Sequence, residues 1–310
     1  MPLHTTTGRW RFGFVLSLLT ALQWGLLPIA LKGLLEGMDP FTVTWYRFFI
    51  AGLLLSLYVI LKKDRPKISQ IKGSIVWLLI TAVLGLCGNY ILYIVGLKYL
   101  SPSAITVVIQ LAPIFLLLGG LLVFREHFNQ WQWVGFAILI IGLVLFFNDR
   151  LDLLFRQATG YTTGVLLVFA SAILWAIYAL CQKQLLETFS SESILLIIYL
   201  SGSILFLPTA HPVRIMHLNH LELFLLGFCA VNTFLAYGCF AEALDHWEAS
   251  RVSAVLALIP LITVACMKIC ALFFPDFIEP EHLNTLSIMG IFLVVGGSML
   301  CSLSKSEMSK

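Results

Sequence analysis

The chain has 310 residues, 60% of them hydrophobic and 11% charged, with a mean hydropathy of +0.96 and a formal net charge of +3. A water-soluble domain runs at about 45–50% apolar and about 25% charged residues, so this composition excludes one: too few polar groups are available to cover the apolar surface. The small positive charge contains no basic tract of the size that nucleic acid requires, which leaves the lipid bilayer as the main surroundings of the chain.

In chain order, Arg9 and Arg11 precede an apolar run over 12–35 that imitates a secretory leader. The run is too long for the apolar core of a leader and lacks a small-x-small cleavage site, so it is expected to remain attached as a first span. Crossing the hydrocarbon core takes about 20 apolar residues. Further spans are predicted at 41–61, 74–97, 102–124, 133–148, 161–185, 191–208, 221–243, 250–274 and 285–303, the fifth and seventh being short. The cysteines Cys87, Cys181, Cys229, Cys239, Cys266, Cys270 and Cys301 all fall in or beside these spans, without the spacing of a disulfide framework, and read as small packing residues.

Lysines and arginines near span ends stay on the cytoplasmic side. With the N-terminus inside, Arg9, Arg11, Lys62, Lys63, Arg65, Lys67, Lys72, Arg125, Lys183, Arg251, Lys305 and Lys310 fall inside, and Lys98, Arg150, Arg156 and Arg214 outside. Both termini are therefore expected in the cytoplasm, with most of the bias carried by the single loop over 62–73.

Self-comparison divides the chain at about residue 148 into two halves, 1–148 and 149–310. ALQWGLLPIALKGLLE at 21–36 matches AILWAIYALCQKQLLE at 172–187, pairing Trp24 with Trp175, Lys32 with Lys183 and Glu36 with Glu187. REHFNQWQWVGFAILIIG at 125–142 matches PEHLNTLSIMGIFLVVGG at 280–297, pairing Glu126 with Glu281, Asn129 with Asn284, Gly135 with Gly290 and Gly142 with Gly297. Pro113 and Pro260 correspond between them. Five spans per copy is an odd number, so the second copy enters the membrane from the opposite side. Such an inverted repeat lets two similar halves exchange conformations, which is a physical route to alternating access.

The Trp-containing first span, WYRFFIAGLLLS at 45–56, SPSAITVVIQLAPIFLLLGGLLVFRE at 101–126, QWQWVGFAILIIGLVLF at 130–146 and the looser ASRVSAVLALIPLITV at 249–264 together resemble the drug/metabolite transporter superfamily, specifically its ten-span EamA type. The resemblance covers nearly the whole chain. It implies an all-α integral membrane carrier of ten helices around a central cavity, with cytoplasmic termini, in the plasma membrane (the inner membrane of a bacterium), handling amino acids, nucleotide-linked metabolites, cofactors or drugs. One departure is that the second copy has Pro280-Glu281 where the first has Arg125-Glu126.

Polar groups inside spans are costly unless they face protein or water, so each is a candidate for the substrate path. Pro113 and Pro260 interrupt matched helices, as a binding site or as packing kinks. Thr106, Gln110 and Pro113 share a face of the fourth span, and Gln110, which can donate and accept, is matched by the apolar Ala257. Trp175, Tyr178 and Gln182 share a face of the sixth span, either as a cavity wall or as interhelical packing. Trp24 is the first-half counterpart of Trp175. Asn89 and Tyr93, with Tyr90 alongside, and Asn232 with Tyr237, offer either ligand contacts or hydrogen bonds between helices. Lys32, Arg47 and Lys268 would make an electropositive outer vestibule for a carboxylate or phosphate if they converge; Lys32 can instead snorkel, and Arg47 recurs in the family pattern as a structural residue, which leaves Lys268 the sharpest of the three.

Acidic residues cluster at helix ends, with Glu242 the deepest, so a mid-membrane proton carrier is not evident and cationic-drug/proton antiport is disfavoured. No HExxH, GxSxG or paired carboxylate marks an intramembrane enzyme. His211, His217 and His220 share one outer loop without a fourth ligand, and read as solvated rather than metal-binding. The expectation is a carrier of a small metabolite, an amino acid or a carboxylate- or phosphate-bearing compound, acting as exporter or exchanger and needing no cofactor; cation efflux, a channel or an intramembrane enzyme are the alternatives. Gly119-Gly120, Gly135 with Gly142, and Gly290 with Gly297 allow close backbone approach, either to close the fold or to make a homodimer face.

Overall fold

In hydrocarbon no water is at hand for a backbone N–H or C=O, so each apolar segment must close its hydrogen bonds within itself, as a helix does. The computed structural model describes residues 9–62, 71–123, 129–150, 160–247, 249–274, 277, 281 and 283–303, and among these it is all-helical. The first half contributes α1 (Trp10–Leu34), α2 (Pro40–Lys62), α3 (Ser74–Leu97), α4 (Pro102–Val108), α5 (Ala112–Val123) and α6 (Gln130–Phe146). The second contributes α7 (Gly160–Leu185), α8 (Ser191–Phe206), α9 (His220–His246), α10 (Ala249–Leu256), α11 (Ile259–Phe273) and α12 (Thr285–Leu303). α4 with α5, and α10 with α11, each form one span broken in the middle, which gives ten spans among the described residues. The Lys63, Arg65 and Lys67 of the basic loop, the Arg125-Glu126 pair, Arg156 and Pro280 lie outside the described residues.

Short polar side chains just before the apolar runs set the helix starts by accepting from otherwise unpaired N–H groups. Asp39 Oδ1 accepts from Thr42 N at 3.0 Å, Ser101 Oγ from Ala104 N at 3.2 Å, and Ser190 Oγ from Ser193 N at 3.3 Å. Asn129 and Asn219 start α6 and α9 with capping boxes closed by Gln132 and Glu222. The outer surface carries Leu61, Trp77, Ile204, Phe224 and Leu272 exposed, the arrangement expected when the solvent is lipid.

The packing has the symmetry of the repeat. Advancing five spans along the chain turns α1 into α7 and α9 into α3; α1 packs along α9, and α3 packs along α7, so the exchange maps one contact onto the other. α2 against α8, and α6 against α12, are contacts that the exchange maps onto themselves. The matched glycines form the last of these seams. A β-carbon on Gly297 would stand 2.6 Å from the carbonyl oxygen of Gly135, and one on Gly142 would stand 2.8 Å from that of Gly290. Gly135 and Gly142 thus meet Gly297 and Gly290 in crossed pairs, which closes the fold within one chain.

Candidate functional site

The middle of the bundle holds a cavity because two of its helices do not run through. Pro113 has no N–H to give to the carbonyl four residues earlier, and the fourth span relaxes there into a 3₁₀ turn at Ile109–Leu111. The matching span stops at Leu256 and restarts at Ile259, with Pro260 in the first turn of α11. The two interruptions face each other: Gln110 Nε2 lies 3.5 Å from the Ala257 carbonyl oxygen, and Ser298 Oγ of α12 lies 3.4 Å from Gln110 Oε1. Both contacts are at the long limit of hydrogen bonding, so Gln110 holds its neighbours loosely.

Around these breaks lies a cavity of about 200 Å³, bounded by α1, α2, α3, the fourth span, α7, α9 and the ninth span. Trp24 and its repeat partner Trp175 both line it, with Tyr93, Phe240, Leu27 and Leu116 completing an apolar and aromatic wall. Trp24 is held edge-on to Tyr237, with ring centroids 5.4 Å apart. The polar contribution comes from Asn89, Thr106, Gln110, Asn232, Thr233, Ser253 and Arg47. A mostly apolar hollow with a few convergent polar groups is what a small-molecule site looks like.

Arg47 dominates its electrostatics. The side chain is buried, only 3% exposed, and its Nε donates to Thr233 Oγ1 at 3.0 Å while Cζ sits 4.5 Å from the centroid of the Tyr90 ring. Among the described residues no carboxylate pairs with it. A ring face contributes about 0.5–2 kcal/mol to a cation, whereas taking a guanidinium out of water without a counter-ion costs several. The constant offset that pairs Trp24 with Trp175 pairs Arg47 with Ile198, a buried apolar residue of α8. At this position, therefore, the positive charge is present in the first half and replaced by an apolar side chain in the second.

The remaining predicted residues divide. Asn89 lines the cavity, but its amide donates to Ser171 Oγ at 2.8 Å and the Ser171 carbonyl at 3.1 Å, tying α3 to α7. Asn232 donates to the Gln23 carbonyl at 3.0 Å, and its buried Oδ1 has no hydrogen-bond partner among the described residues. Tyr178 does not reach the cavity: α7 lies so close to α3 that a β-carbon on Gly85 would stand 3.2 Å from Tyr178 Cβ, and the ring is buried in that seam. Gln182 lies two turns beyond Trp175 along α7, about 10 Å by helical rise, and contacts Ser191 at the bundle end. Pro260 is buried in the first turn of α11 and, unlike Pro113, does not line the cavity.

The vestibule of three cations does not assemble. Lys32 Nζ donates to the carbonyls of Leu97 at 2.7 Å and Leu100 at 3.1 Å, closing the carboxyl end of α3. Lys268 is exposed on the face of α11 that carries Ile269 and Leu272, while Thr263 and Met267 point inward. Of the three, Arg47 alone borders the cavity. Thr233 and Ser253 were not singled out from the sequence; the Asn232-Thr233 pair inside an apolar helix was the available signal. His211, His217 and His220 are largely exposed, and no cluster able to hold a metal occurs among the described residues.

The model of the EamA-like transporter family matches residues 11–148 and again 162–303. An uncharacterized transporter of Haemophilus influenzae is 40% identical over 94% of each chain. The uncharacterized inner membrane transporter YhbE of Escherichia coli is 39% identical over 93% of this chain and 90% of its own. A probable amino-acid metabolite efflux pump of Salmonella typhimurium is 24% identical over 91% and 92%. A solved crystal structure superposes with a TM-score of 0.63 at 18% identity over 96% of both chains, a likeness of fold.

Proposed function

Because the chain belongs to the EamA-like transporter family, and is a membrane transporter on that ground, we propose that it is an alternating-access carrier of a small metabolite bearing an anionic group, of the amino-acid, carboxylate or phosphate class, working by export or exchange. The observation that carries this reading is Arg47, a buried cation at the cavity with no carboxylate partner among the described residues. An anionic ligand supplies the missing counter-charge, and in a water-poor site the attraction is much stronger than at a surface. A cationic drug meets the aromatic walls favourably but is repelled by Arg47.

The buried Oδ1 of Asn232, without a partner among the described residues, supports a ligand that also offers an N–H, since a buried acceptor left alone costs about 1–3 kcal/mol. The likeness to the Salmonella relative, a probable amino-acid metabolite efflux pump, supports such a substrate. Matched breaks in two halves, 1–148 and 149–310, support alternation about a central site. The count of basic residues supports cytoplasmic termini, and the likeness to YhbE supports the bacterial inner membrane.

Thermal stabilisation of the purified protein tests the reading. Ligands at 100 times their Kd add about 2.7 kcal/mol of stability. An amino acid or another small carboxylate or phosphate is expected to raise Tm, while its amide or decarboxylated amine leaves it in place. Stabilisation by lipophilic cations alone would overturn the proposal.

A further inference from the structure

Resting on that reading, we infer that Arg47, Tyr90 and Thr233 form a subsite for a planar carboxylate rather than a phosphate, with Thr233 and Tyr90 positioning the guanidinium. Thr233 Oγ1 donates its own proton to the Cys229 carbonyl at 2.9 Å, one turn back on α9. The hydroxyl is thereby oriented as an acceptor, and it takes the Nε–H of Arg47 at 3.0 Å. The Tyr90 ring, with its centroid 4.5 Å from Cζ, covers one face of the guanidinium, and Tyr90 is itself buried. One N–H is held and one face is closed. What remains is the pair of Nη groups, whose N–H donors have no acceptor among the described residues.

Two parallel N–H donors in one plane match the two oxygens of a carboxylate, which approaches in that plane. Charge points the same way. A phosphate near neutral pH brings up to a second negative charge, and among the described residues no second cation is placed to meet it: Lys32 is bound to the carbonyls that end α3, and Lys268 is exposed outside the cavity. A single fixed guanidinium is neutralised by a monoanion. A tetrahedral dianion would bury a net charge and leave oxygens without donors.

The test uses full-length protein in detergent, titrated with propionate and L-leucine as carboxylates and with methylphosphonate and inorganic phosphate as the tetrahedral anions. Trp24 and Trp175 at the cavity wall report binding through fluorescence. Wild type is expected to bind at least one carboxylate with a Kd at least tenfold below that of either tetrahedral anion. Thr233→Val keeps the shape and removes the acceptor; it is expected to raise the carboxylate Kd at least fivefold and to narrow the preference below threefold. Thr233→Ser is expected to stay within twofold of wild type. Should Thr233→Val fail to fold, Tyr90→Leu serves in its place, with Tyr90→Phe as the retained-ring control. Equal or tighter binding of phosphate, or no binding of either carboxylate, overturns the subsite. If Arg47→Gln leaves every anion's Kd unchanged, the anionic-substrate reading itself falls. If Arg47→Gln abolishes binding while Thr233→Val keeps wild-type affinity and preference, that reading stands and the positioning role alone is lost.

Discussion

Replacing Arg47 with glutamine is expected to weaken binding of the anionic substrate about 100-fold, about 2.7 kcal/mol, while leaving the ligand-free protein no less stable than wild type. The first half of this expectation comes from the strength of hydrogen bonds to charged groups, about 1.5–3 kcal/mol each, made here in a cavity that is apolar apart from a handful of groups. The second half comes from desolvation. Arg47 is buried without a carboxylate among the described residues, so its removal takes away a charge that the fold does not compensate. Affinity and stability therefore move apart, which separates a binding residue from a structural one: a structural arginine would lose Tm when replaced. Arg47→Lys is expected to recover little, because an ammonium lacks both the Nε–H that Thr233 holds and the planar pair of Nη groups. Calorimetric titration alongside thermal melts of the three proteins provides the check.

A leucine in place of Gly290 is expected to destabilise the bundle by about 3 kcal/mol or more, enough to remove the monodisperse protein from a size-exclusion profile. Even a β-carbon there would lie 2.6 Å from the Gly142 carbonyl and 2.9 Å from Phe146 Cα, contacts with backbone that no rotamer change relieves. The repeat makes Gly142→Leu an equivalent lesion on the other helix of the seam. Gly296 supplies the control on the same helix: a β-carbon added there meets nothing within 4 Å. Gly296→Ala is expected to be neutral or to stabilise by up to about 1 kcal/mol through helix propensity.

The sequence made the frame legible because the signals that define it are chemical contrasts. Polar caps such as Asp39, Ser190 and Asn219 against apolar runs mark helix starts, and Pro113 with Pro260 marks the two interrupted spans. The paired Trp24 and Trp175 announce the repeat, and both stand at the cavity. What could not be read was rotation about each helix axis. In a soluble helix the apolar face points inward, but lipid is as apolar as the interior, so the composition of a span is nearly the same all round. That is why Trp175, Tyr178 and Gln182 looked like one stripe, whereas α7 turns Tyr178 into the seam with α3 and carries Gln182 to the bundle end. It is also why Lys268 outranked Arg47: both are cations in spans, and the outward face of α11 has no sequence mark. The role of Lys32 was hidden for a different reason, since the carbonyls it closes belong to the end of α3 and the turn after it, 65 and 68 residues away.

Among the described residues, a symmetric ten-helix frame surrounds a cavity whose one lining cation, Arg47, belongs to the first half. Counterflow in liposomes shows whether that cavity carries an acid across the bilayer. Vesicles containing the purified protein are loaded with an unlabelled acid that stabilises it in thermal melts, and uptake of the labelled acid is followed, with the matching amide as competitor. The expected result is saturable uptake that internal acid accelerates, that external acid blocks, that the amide does not block, and that Arg47→Gln abolishes. Uptake that rises without saturation, ignores the internal acid and is the same in Arg47→Gln would contradict it.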